Sequence, residues 1–112
     1  MTISDGAGAL TRGVDLFNRG AYWEAHEAWE ELWLRAEPEL RLFVQGLIQL
    51  AAAWHHVRRG NSRGAQRLFR AGLEKLHPYP SLYAGIDVSG AVAAAEAVLA
   101  ERPWTQPQLT LA

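Results

Sequence analysis

Hydrophobic and polar positions along this chain recur with the 3.6-residue period of an α-helix, and no stretch alternates with the two-residue period of a strand. Gly and Pro residues divide the pattern into helix-favouring stretches over 9–18, 22–36, 39–59, 62–76 and 88–101. Asn18 to Gly20 closes the first. Pro38 opens the third at a first-turn position, Gly60 ends it, Asn61 or Ser62 caps the fourth, and Asp87 or Ser89 caps the fifth. The loop over 77–85, with Pro78, Pro80 and Gly85, turns the chain without regular structure, and the tail from Pro103 onward is expected to fray. Gly20, Ala25 and Pro38 recur as Gly60, Ala65 and Pro78, each 40 residues on. Two such units are too few for an open solenoid. The expectation is an all-α fold: a compact bundle of about five helices, built from two helix-turn-helix units plus a C-terminal helix. It forms a single helical domain over 1–112, with its core at about 9–101 and its tail at 102–112.

The second helix carries the candidate chemistry. At 100° per residue, Tyr22, Ala25, Trp29, Leu32, Trp33 and Ala36 share one side, widened by Trp23 and Leu34. His26 and Glu30, one turn apart, fall inside this apolar arc; Glu27 sits at its edge, and Glu24, Glu31 and Arg35 point away. A histidine and a carboxylate in an aromatic face need partners. They either hydrogen-bond each other and fix helix register, or line a pocket as ligand-binding groups, metal ligands or general acid and base. The run from His26 to Glu30 has the spacing of the zincin helix, but its second histidine is replaced by Glu30, and Trp23 stands where a bundle metal site would want a glutamate. On the third helix Arg41, Gln45, Gln49, His56 and Arg59 form one polar stripe, while His55 falls on the apolar side near Val44, Ile48 and Ala51. Gln45 and Gln49 are placed to face solvent or to form the far wall of a pocket at His26. Gly46 would let a neighbouring helix approach closely.

Composition removes several alternatives. Apolar residues make up 49% of the 112 positions and charged residues 21%, which fits a folded soluble domain rather than a disordered chain. The longest weakly polar run, 42–54, is too short to span a bilayer, so no membrane role is expected. Residues 1–8 lack the basic start and apolar run of a secretory leader. Without cysteine there is no disulfide, thiolate ligand or cysteine nucleophile, and a cytoplasmic location is expected. Phosphate-binding glycine loops, serine elbows and dinucleotide fingerprints are also absent.

Charge is unevenly spread. Between Ala21 and Glu39 six glutamates face only Arg35, and between Arg58 and Lys75 six bases face only Glu74. The two halves are expected to pack together and neutralise each other. A polyanion partner would instead use Arg58, Arg59, Arg63, Arg67 and Arg70, with Trp54 or Phe69 as stacking surface, but nucleic-acid binding is not expected.

The run from Phe17 to Glu30 (FNRGAYWEAHEAWE), followed by Trp33, Gln45-Gly46, the segment Ala51-Ala52-Ala53-Trp54-His55 and Gly60-Asn61, resembles the prokaryotic domain of unknown function 309 family. The resemblance extends from about Gly13 to Ala100 and includes Gly85-Ile86-Asp87. It implies a compact helical bundle without an assigned activity, and matches Tyr22, His26, Glu27, Glu30, Gln45 and His55 as candidate ligand-binding positions without giving any a catalytic role. The leading functional expectation is a binding or interaction domain for a small ligand or protein partner. The alternative is a metal-dependent hydrolase, in which His26 and Glu30, with Glu27 and His55, would hold a divalent metal. A polyanion binder comes third.

Overall fold

A computed structural model describes the backbone of residues 2–112 and the side chains of residues 8–112. The leader expectation concerns residues 1–8, so it lies almost wholly outside the described side chains. Five helices form: α1 (Thr2–Asn18), α2 (Tyr22–Trp33), α3 (Pro38–Arg58), α4 (Ser62–Leu76) and α5 (Ser89–Leu99). Among the described residues no helix is long and apolar enough to cross a membrane. The first helix begins seven residues before its expected start. Gly6 and Gly8 weaken helix propensity by about 1 kcal/mol each without breaking the segment. The second stops at Trp33 rather than at residue 36, because Pro38 forces Glu37 into extended backbone and the chain must leave the helix first. Asn61 caps α4 as expected, its Oδ1 accepting from Gly64 N at 3.0 Å. At α5 the Asp87 carboxylate accepts from the backbone N and the hydroxyl of Ser89.

The repeated Gly and Ala positions play matching parts. Gly20 and Gly60 end α1 and α3 with φ of +81° and +77°, and Ala25 and Ala65 are both buried where the next helix packs. Each unit is therefore a helical hairpin, α1–α2 and α3–α4. Between α2 and α4 lies α3, which buries Phe43, Val44, Leu47, Leu50, Ala51 and Ala53. Its contact with α4 is close. A Cβ built on Gly46 would lie 2.7 Å from Leu76 Cγ, and one on Gly72 would lie 3.1 Å from the Gly46 carbonyl oxygen. The α1–α2 contact is locked by Trp29, fully buried, whose Nε1 donates to Leu10 O at 3.1 Å.

Two expectations are overturned beyond α4. A small antiparallel sheet is present, formed by β1 (Leu82–Tyr83), β2 (Ile86–Asp87) and β3 (Thr110–Leu111) in that order. Tyr83 pairs with Ile86, and Ile86 with Leu111. Strands of two residues carry no readable alternation, and the turn between β1 and β2 places Ala84 at φ +53° beside Gly85 at +79°. Both values suit a type I′ hairpin, whose usual sequence signal is Asn-Gly rather than Ala-Gly. The tail is also held. Pro107 and Leu109 are buried, and Asn18 grips Leu109 through Nδ2 to its carbonyl (2.8 Å) and Oδ1 from its N–H (2.7 Å). Gln106 and Gln108 both donate to the Asn18 carbonyl.

This clamp predicts that Asn18→Ala lowers stability by about 2 kcal/mol, since it strips both backbone partners from a buried leucine. Urea unfolding measures the loss, and amide exchange at Leu109 should accelerate while that at Leu47 in α3 changes only with global stability.

Candidate functional site

The short turn after Trp33 sets α2 antiparallel to α3, and the residues along their shared open edge form one continuous seam. At one end Trp23 stacks on His26, with ring centroids 4.7 Å apart and an 11° interplanar angle, and meets His55 of α3 at 5.2 Å. One turn on, His26 Nε2 lies 3.9 Å from Glu30 Oε2. Glu30, Trp33, Gln45, Ile48 and Gln49 then line an open cavity of about 160 Å³. At the far end the Arg41 guanidinium lies over the Trp33 ring, 4.2 Å from its centroid. From Trp23 to Trp33 the seam runs about 15 Å along the helix axis. Beyond it, Lys75 of α4 donates to Gln49 Oε1 at 3.4 Å.

The seam's polar atoms are poorly matched with one another. His26 Nδ1, Trp33 Nε1 and Arg41 Nε are buried, and none has a hydrogen-bond partner among the described residues. Trp54 Nε1 is the fourth such atom and lies elsewhere. Each buried unpaired polar atom costs about 1–3 kcal/mol in lost hydration. The His26–Glu30 pair does not relieve this. Its separation exceeds hydrogen-bonding distance, and the Glu30 side chain is 57% exposed, so the expected buried, register-fixing pair is replaced by a partly buried histidine beside a solvated carboxylate. His55 is not a core residue either. It is half-buried at the rim against Trp23. Burial holds its pKa below the ordinary histidine value, and the nearby Arg59, His56, Arg58 and His26 charges push the same way.

Of the six residues singled out from sequence, His26, Glu30, Gln45 and His55 share the seam. Glu27 is exposed beside it. Tyr22 points to the opposite side, packed edge-on against Phe17 and stacked with Trp54, with the Arg58 guanidinium 4.8 Å from its ring. There it lines a separate cavity of about 200 Å³ with Trp54, Val57, Arg58, Trp104 and Gln106. Burial raises the Tyr22 pKa, partly offset by Arg58. Sequence reasoning passed over Trp23, Trp33 and Arg41 as site residues. The signal for them is the Arg41-Gln45-Gln49 stripe, which, once α3 is laid antiparallel on α2, falls opposite Trp33 and Glu30. Among the described residues no three His, Asp or Glu side chains converge as a metal-holding group.

The charged halves do not neutralise each other. Because α3 separates α2 from α4, the ion pairs among the described residues are Asp15–Arg19 and His26–Glu30, both within single helices. Arg63, Arg67 and Arg70 are exposed on α4, while Trp54 and Phe69, offered above as stacking surfaces for bases, are buried core residues.

The whole seam lies within residues 10–68, over half of the chain, and these match the model of the family described as domain of unknown function DUF309. The chain belongs to the DUF309 family. An uncharacterized protein of Aquifex aeolicus (strain VF5) is 29% identical over 106 residues, 94% of this chain and 32% of that protein. The uncharacterized protein YpuF of Bacillus subtilis (strain 168) is 48% identical over 48 residues, 42% of this chain and 28% of its own length. The chain thus spans about a third or less of the relatives it matches. The DUF309 match carries no assigned activity, and it covers α2, α3 and the start of α4 but not Gly72, Leu76, β1, β2, α5 or the clamped tail.

The His55 environment gives a pH dependence. Its folded pKa lies below 6.5, so the unfolded chain takes up the proton first as pH falls. Stability from this group is fully present above pH 6.5 and is lost as pH drops through the folded value. Thermal melts of wild type and His55→Gln should keep a constant offset above pH 6.5 and separate from it below, wild type losing stability relative to the variant as pH falls, and NMR titration should place the His55 midpoint under 6.5.

Proposed function

We propose that the chain is a binding module whose ligand lies along the α2–α3 seam. The observation that carries this reading is the placement of unpaired polar atoms. Three of the four buried side-chain nitrogens lacking a partner among the described residues sit on this one edge, next to a cavity. Scattered orphans would indicate imperfect packing. Gathered on one face beside the half-buried Gln45 and Gln49 of α3, they are groups whose partners a ligand supplies. Trp23, 46% exposed at the seam's end, adds an apolar platform.

A hydrolase would need a metal-holding set or a nucleophile with its base, and the seam's two histidines, His26 and His55, with the solvated Glu30 form no metal-holding group among the described residues. The polyanion reading rests only on an exposed basic helix face. A cytoplasmic setting fits a chain without cysteine.

Polar groups kept for a ligand weaken the free protein. His26→Phe preserves a ring for the stack on Trp23 and removes the unpaired Nδ1, so it should raise unfolding stability by about 1 kcal/mol in urea titrations. A loss of similar size would mean that the His26 nitrogen is structural, and would overturn the binding reading.

A further inference from the structure

The chemistry of the Trp33 end narrows the ligand, taking the seam as a binding site. An indole Nε1 and a guanidinium Nε can only donate, so the two unpaired atoms at this end demand acceptors. Arg41 also has no carboxylate within ion-pair distance among the described residues, although its guanidinium lies over the Trp33 ring and the residue is partly withdrawn from water. A fixed cation beside a donor-only indole favours an oxyanion, and the planar guanidinium fork matches a carboxylate best. Gln49 strengthens the bias: its Oε1 accepts from Lys75, which leaves its amide N–H groups as donors towards the cavity it lines.

The cavity's other polar wall has the opposite character. Glu30 can only accept when ionised, and it would repel a bare anion; it suits a ligand carrying an N–H close to its carboxylate. Ile48 gives that ligand an apolar contact. A carboxylate, an N–H one carbon away and a small apolar group describe an amino acid. We infer that the Trp33–Arg41 end of the seam binds an amino-acid carboxylate, free or at the C-terminus of a peptide. The carboxylate takes the Arg41 and Trp33 donors, its α-nitrogen donates to Glu30, and its side chain rests on Ile48.

The test follows the five tryptophan indole resonances of the 15N-labelled chain by NMR, with that of Trp33 identified as the one lost in Trp33→Phe. N-acetylalanine is titrated against N-acetylalaninamide, and the tripeptide Gly-Gly-Ala against its C-terminal amide. The Trp33 indole proton should shift saturably with each acid, and each amide should bind about tenfold more weakly or less, as loss of a charge-assisted hydrogen bond requires. Arg41→Gln should weaken the acids by a similar factor without lowering Tm, while Arg63→Gln on α4 leaves binding unchanged. Tighter binding of the tripeptide than of free alanine, titrated alongside, identifies a peptide terminus as the source, and tighter binding of free alanine identifies a free amino acid. Equal shifts from acids and amides, or an unmoved Trp33 indole, overturn the inference. If that happens while His26→Phe still stabilises the chain, the ligand class is wrong and the binding reading stands.

Discussion

The architecture depends on how closely α3 lies on α4. Gly46 and Gly72 face each other across that contact with carbonyl oxygens where side chains would otherwise stand, and a methyl group at either position would push the helices apart. Packed so tightly on one flank, α3 keeps its apolar residues for the core and turns its Arg41-Gln45-Gln49 stripe to the edge where α2 passes. Trp29, seated over Gly13 and bonded to Leu10, fixes α2 against α1 from the other side. The seam is what remains between two helices whose positions are decided elsewhere, and this explains why its polar groups can stay mismatched without the fold rearranging to pair them.

Much of this was legible in the sequence. The helices, the cap at Asn61, the first-turn Pro38 and the glycine stops follow from local rules that act within a few residues. His26, Glu30, Gln45 and His55 could be picked out because polar residues on an apolar face stand out against helical periodicity. What could not be read is whatever depends on two distant segments meeting. The β2–β3 pairing and the Asn18–Leu109 clamp join residues more than twenty and about ninety positions apart, and neither end announces the other. The burial of Glu30 was overestimated for a related reason. Helical phase gives the direction of a side chain, but whether a neighbour covers it depends on where the next helix stops.

The failed neutralisation of charge has the same origin. Acidic α2 and basic α4 were read as complementary halves, yet α3 lies between them and keeps their charges on separate surfaces. The resulting molecule presents an acidic face and a basic face, with the α2–α3 seam running beside the acidic one. The Arg41 guanidinium is therefore a cation set beside glutamate-rich α2, a local reversal of charge along the seam.

The clamp on the tail has a consequence for the order in which the structure can form. Asn18 closes α1, which leaves the ribosome before the other four helices described here, but its side chain and carbonyl find their partners only when Gln106, Gln108 and Leu109 arrive. At roughly 5–20 residues per second, several seconds of synthesis separate the two. During that interval the nascent helices can pair as local hairpins while the end of α1 stays uncovered. Closure waits for translation to reach β3, so the fold is assembled early and sealed late.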